Sequence, residues 1–125
     1  MTVDVIENVY NALTTDAAIT GSLHERAKGI VADLTHYSGR YPAITYQVIS
    51  DVPALWGDDA EIFRRITIQI NVITKDGADT NIVFRIETIM NNLGWRRESN
   101  TRLVDGTVRI TAMRFVIEER NLVNG

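Results

Sequence analysis

Histidines, paired cysteines, clustered carboxylates and glycine-rich loops are the residue patterns that most often carry chemistry, and this chain of 125 residues holds few of them. His24 and His36 lie in its least regular stretch, with no HExxH motif and no carboxylate partner at ligand spacing. They read as solvated loop residues. Cysteine is absent, which removes disulfides and thiolate-held zinc together. Asp58-Asp59-Ala60-Glu61 is the densest acidic run and offers the oxygen donors a hard cation prefers, yet it lacks the spaced acids of a calcium loop. Arg64-Arg65 and Arg96-Arg97 are candidates for phosphate contact, but adjacent strand residues point to opposite faces, so neither doublet forms a patch by itself. GxSxG, GxGxxG and GxxxxGK[ST] are all missing. With no nucleophile set beside a base, the expectation is a protein that is not an enzyme, with no catalytic residues, no metal site and no cofactor.

The elements that would position these residues follow from apolar spacing. Val3, Ile6, Val9, Tyr10 and Leu13 recur at helical intervals, with Thr2 as the expected N-cap. Asp16 is placed to cap a second, short helix through Ala17, Ala18 and Ile19, which Gly21 ends. Residues 24–41 carry no clear period, although Gly29-Ile30-Val31-Ala32 fits a short strand. Ala43 to Ser50 alternates as a strand, and Asp51 to Glu61, with Pro53, Gly57 and four acids, reads as a loop. Ile62 to Thr74 is the clearest strand, with Ile66, Ile68, Ile70 and Val72 on one face. Lys75-Asp76-Gly77 forms a turn before a helix from about Ala78 to Leu93, whose expected buried stripe is Val83, Ile86, Ile89, Met90 and Leu93. Gly94 is the expected left-handed stop. Trp95 to Val104 and Thr107 to Glu119 then pair across Asp105-Gly106. The predicted class is α+β, one domain over residues 1–125: a mixed, largely antiparallel sheet of about four strands, with a long helix and the N-terminal helix packed on it.

Charge and composition point towards association. The net charge of −3 divides unevenly, with −6 on residues 1–63 and +3 on residues 64–125, as ordinary surface charge or as an acidic face meeting a basic one in another copy. Eleven of the thirteen bases are arginine, whose planar, weakly hydrated head suits paired and interface positions. The overall acidity argues against nucleic-acid binding. No basic, apolar leader opens the sequence and no apolar run reaches the roughly 20 residues of a spanning helix, so the reading is a soluble, cytoplasmic chain. Trp56 either folds back to cover the core or stands out as an aromatic anchor for a partner. The last strand is apolar on both faces, with Arg114 set among apolar neighbours, which suggests a helix over one face and another subunit over the other. The candidate contact residues are Leu55, Trp56, Asp58, Asp59 and Glu61 on the acidic loop, with Arg65, Arg114 and Val116 on the strands.

Set out in this order, the chain resembles the tail-completion, or tail-terminator, proteins of long-tailed bacteriophages and prophages. The resemblance rests on the small-residue segment after the first helix (Ala17-Ala18-Ile19), on Tyr41-Pro42-Ala43-Ile44-Thr45-Tyr46 running into Val48-Ile49-Ser50-Asp51, and on the strand Arg65-Ile66-Thr67-Ile68-Gln69-Ile70-Asn71-Val72 with a helix and hairpin after it. It covers about residues 3–119, and residues 24–40 are longer than the family pattern. It implies a virion protein, present in the host cytoplasm during assembly, that forms a ring of six copies on the head-proximal end of the tail tube. Its partners would be its own copies, the tail-tube protein and the head–tail connector, with DNA passing through the ring without specific binding. Acidic residues lining the channel would repel its phosphates and let it slide, whereas a basic lumen would hold it. A small-ligand or regulatory binding domain of α+β type is the alternative, and an enzyme with an unrecognised site is a third reading.

Overall fold

Alternation of β-branched and polar residues from Arg65 to Thr74 requires a strand with one apolar face, and that strand becomes the middle of the molecule. In the computed structural model, residues 5–32, 40–57 and 60–120 are described, with side chains described outside 54–57, 60–62 and 120. Helices α1 (Val5–Thr15) and α2 (Ala17–Thr20) lead through a 3-10 turn (Arg26–Gly29) into β1 (Ile30–Ala32). Then come β2 (Ala43–Gly57), β3 (Ala60–Thr74), α3 (Thr80–Asn92), β4 (Arg96–Asp105) and β5 (Val108–Arg120). The strands form one sheet in the order β1-β2-β3-β5-β4. Only β1 runs parallel to its neighbour; the other pairs are antiparallel. The class is α+β, with five strands where about four were expected, because the short segment at Ile30 pairs with Ile44 to Tyr46.

Register decides which side chains meet. Ile68 stands between Val48 on β2 and Phe115 on β5, and Ile70 between Tyr46 and Met113. With Ile44, Ile66 and Val72 they make the face that receives the helices. Val9 and Leu13 of α1, Ile19 of α2, and Ile82, Ile86, Ile89 and Met90 of α3 pack into it. Burying each such aliphatic side chain contributes roughly 1.5–3 kcal/mol, so this layer supplies most of the drive to fold. Ile82 is buried where the sequence placed Val83, which is half-buried beside it; Val3 and Thr2 lie outside the described residues.

The ends of α3 are set by two different devices. At its C-terminus Gly94 takes φ +94°, Trp95 N–H donates to the Met90 carbonyl at 2.9 Å, and Gly94 N–H donates to the Asn91 carbonyl at 3.1 Å. This pair of hydrogen bonds around a left-handed glycine satisfies two orphan carbonyls, and Trp95 and Met90 are both buried against the core. At the N-terminus Asp79 holds the cap position, yet its carboxylate makes no capping bond. It accepts instead from the Thr111 hydroxyl and from Arg102 at 2.9 Å. The residue best placed to cap the helix thereby ties it to β5 and β4.

Two sequence expectations are corrected by pairing. Residues 51–57 and 60–61 are strand where a loop was expected, Asp58 and Asp59 lying outside the described residues. Here β2 and β3 continue as a hairpin arm, with Asp51 opposite Ile66, Pro53 opposite Arg64 and Gly57 opposite Ala60. Proline and glycine interrupt the local strand signal, but the ladder to β3 outweighs them, and register shifts between Val48 and Ser50 and between Pro53 and Leu55 absorb the misfit. The second hairpin closes one residue later than Asp105-Gly106 suggested. Asp105 pairs with Val108, so Gly106-Thr107 is the loop, and φ +61° at Gly106 is the positive angle a type II′ turn needs at its first central position.

Candidate functional site

On the sheet face away from the helices, polar side chains form a connected row. Arg114 Nε donates to Gln69 Oε1 at 3.0 Å, Gln69 Nε2 donates to Asn71 Oδ1 at 3.0 Å, and Asn71 Nδ2 donates to Thr45 Oγ1 at 3.0 Å. The row crosses β5, β3 and β2, and its inner members Asn71 and Thr45 are buried. A buried amide or hydroxyl costs stability unless paired, and this chain of bonds satisfies both. Further along the same face, Arg65 pairs with Glu118 at 3.2 Å. Arg114 is therefore not isolated on an apolar face as the sequence suggested; Gln69 lies opposite it in register and holds it.

The candidate contact residues separate into three groups. Arg65 and Arg114 are exposed, each held by a neighbour on the adjacent strand. Val116 is 1% exposed, enclosed by its own chain, and offers no surface in the subunit. Leu55 and Trp56 have backbone in β2 and Glu61 in β3, where Trp56 faces Glu61 in register; their side chains, and Asp58 and Asp59 altogether, lie outside the described residues. His36 also lies outside them.

Clustered chemistry is sparse among the described residues. No group of three or more histidines and acids stands close enough to hold a metal ion. No described helix is long and apolar enough to cross a membrane. A shallow groove of about 320 Å³ gathers His24, Arg40, Tyr41 and Lys75. Its cations are engaged already: Arg40 reaches Glu25 at 3.4 Å, and the Lys75 ammonium lies 5.3 Å from the centre of the Tyr41 ring. The arginine doublets split as alternation requires. Arg64 lies 3.3 Å from Glu119 and 3.6 Å from Asp51, while Arg65 turns to Glu118; Arg97 pairs with Glu87 of α3.

Asp16 joins the helical layer. Its carboxylate accepts from the Ile19 N–H at 3.0 Å, capping α2, and binds Arg85 of α3. The Arg85 guanidinium holds the Asp16 carboxyl below the usual carboxylate range, against the opposing effect of burial, and Asp16 in turn raises Arg85. Burial raises the Tyr46 phenol, with Tyr10 adding to it; the two rings lie 6.0 Å apart.

Among the described residues, the sheet leaves strand edges without a neighbouring strand. β1 covers β2 only from Ile44 to Tyr46, so the outer edge of β2 from Gln47 onward has no described strand beside it. β4 is the last strand at the other side, and every residue of it is exposed. Seven large apolar side chains stand exposed among the described residues, and five of them lie on these two strands: Val48, Ile49 and Val52 on β2, Leu103 and Val104 on β4. Sequence reasoning missed this concentration, because which strand is an edge depends on strand order. No family model and no curated protein matches the chain.

Proposed function

We propose that this protein is a structural subunit that assembles head-to-tail with its own copies into a ring capping the head-proximal end of a phage tail tube. The observation that carries the assembly reading is the placement of five of the seven large apolar side chains exposed among the described residues. They lie on β2 and β4, towards the two sides of one sheet, at positions with no described strand beyond them. Opposite, non-identical surfaces are what heterologous association needs, and such contacts close into rings when their rotation closes. The uneven charge of the two chain halves favours the same orientation. The phage-tail part of the reading rests on the resemblance carried by residues 41–51 and 65–72. In that role the ring would stop tube growth and present a surface to the connector, and DNA would pass through it without base recognition.

Mass measurement across a concentration series, alone and with tail-tube protein added, tests the proposal, together with electron micrographs of the product. Rings with a central hole that bind tube ends are the expected result. A protein that stays monomeric at high concentration and ignores tube ends would overturn it.

A further inference from the structure

Resting on that reading, we infer that the sheet continues from copy to copy: the edge of β2 at Gln47–Val52, beside which no described strand lies, pairs antiparallel with the edge of β4 at Thr101–Asp105 in the next copy. Strand direction supports this first. Across the order β2-β3-β5-β4 every step is antiparallel, so β4 runs opposite to β2, and a neighbouring copy placed in the same orientation presents β2 antiparallel to β4. Among the described residues both strands have no partner on one side of this stretch, the arrangement in which an edge accepts another strand.

Side-chain direction then restricts the register. Val48 and Asp51 point to the helix face, because they stand opposite Ile68 and Ile66; Ser50 and Val52 point away, opposite Thr67 and Arg65. On β4, Arg102 and Val104 share the helix face, since Arg102 stands opposite Thr111 and reaches Asp79, while Thr101 and Leu103 point away. Matching faces admits only alternate registers. The one that sets Val104 against Val48, with Ile49 left over at the register shift of β2, also sets Leu103 against Ser50, Arg102 against Asp51 and Thr101 against Val52. An apolar pair and an opposite-charge pair fall on the same face together, the charges extending the pairs Arg102–Asp79 and Arg64–Asp51 that each copy already holds. Val104, 68% exposed, would reach the groove that Ile6, Ala32, Tyr46, Gln47 and Val48 line beside the β2 edge. The wider fields agree: residues 47–61 carry four acids and no base, whereas β4 carries three arginines against two acids. Pro53, with no N–H to donate, marks where this ladder ends.

The absence of native cysteine makes the test clean, since any disulfide must come from introduced thiols. The full chain carrying Val48→Cys and Val104→Cys is oxidised under the conditions of ring assembly. A ladder of covalent multimers is expected, whereas Val48→Cys with Leu103→Cys, on opposite faces, should link poorly. Separately, Val104→Lys should weaken association about tenfold or more at unchanged melting temperature, because it replaces an apolar contact at an exposed site. If multimers form by mass while the matched pair fails to link and Val104→Lys assembles as the parent does, the edge pairing is overturned and the ring proposal stands. If nothing associates even with tube protein, both fall. Amide exchange of the isolated subunit gives one more overturning result: slow exchange at the outward N–H groups of residues 47–52 in the monomer would mean that the chain covers this edge itself.

Discussion

The hydroxyl of Thr111 on β5 donates to the carboxylate of Asp79 at the start of α3, joining two residues 32 positions apart. Asp79 is 1% exposed, and Arg102 of β4 reaches the same carboxylate from solvent. Helix, central sheet and edge strand therefore share one buried acid. Replacing Thr111 by valine keeps the shape and removes the donor, leaving a buried charge short of a partner. The expected loss is about 1–3 kcal/mol in urea unfolding. Arg102→Ala should cost less, about 1 kcal/mol or under, because water already reaches that side chain. Equal losses from the two variants would show that the carboxylate depends on the arginine as much as on the hydroxyl.

Asp16 gives the fold an acid-sensitive joint. Its carboxyl is held low in the folded chain by Arg85 and by the Ile19 N–H, so it binds a proton less readily folded than unfolded. The sign follows: its contribution is present above the unfolded value of about 3.9 and is lost as pH falls through the lower folded value. Asp16→Ala removes both the cap and the ion pair, with an expected cost near neutral pH of about 1–2 kcal/mol, most of it from the cap. The Arg85 part is discounted because that side chain is 39% exposed. Urea unfolding at pH 7 and at pH 3 checks this. The gap between parent and variant should narrow at the lower pH, and a gap independent of pH would remove the carboxylate from the account.

Elements whose own spacing states their burial were legible in the sequence: Ile66 to Val72 as the central strand, Ile86 to Met90 as the inner face of α3, Gly94 as its left-handed stop. Each depends on a local period or a single backbone angle. The hairpin arm was not legible, because Pro53 and Gly57 carry loop signals and only the partner strand outweighs them. The turn at Gly106 was displaced by one residue, since the dipeptide names a turn without fixing which pair closes it. The candidate surface was the least legible part. Val48 and Val104 stand at edges of the described sheet only because the described pairing of β1 reaches no further than Tyr46 and β4 takes an outermost place, facts of strand order that no local pattern states. Val116 failed in the opposite direction: its apolar neighbours suggested a contact surface, and the chain encloses it.

The row from Arg114 to Thr45 makes a prediction about paired substitution. Asn71→Leu deletes an amide between two polar groups and strands the buried Thr45 hydroxyl and the Gln69 amide. The expected cost is about 1–3 kcal/mol. Adding Thr45→Val removes one of the stranded groups, so the double variant should recover part of that loss; partners deleted together cost less than one deleted alone. Thermal or urea unfolding of the two single variants and the double forms a cycle. Strict additivity would mean that the 3.0 Å contact between Asn71 and Thr45 carries no coupling.

Gly106 connects turn geometry to the outer edge. A Cβ added there would meet nothing within 4 Å, so a substitution is opposed by backbone angle alone, at φ +61°. Asparagine tolerates that region and valine does not, and the expected order of stability is glycine, then asparagine, then valine, with valine about 1–2 kcal/mol below glycine. The consequence reaches past the turn. The pairs Asp105–Val108 and Val104–Arg109 stand immediately beside it, so strain at Gly106 is relieved most cheaply by fraying the end of β4. Amide exchange in Gly106→Val should therefore quicken at Leu103 to Asp105 before it changes at Asn100 or Thr101. If the whole of β4 quickens together, the strand is a single cooperative unit and its register is set along the full length of β5, with the turn following.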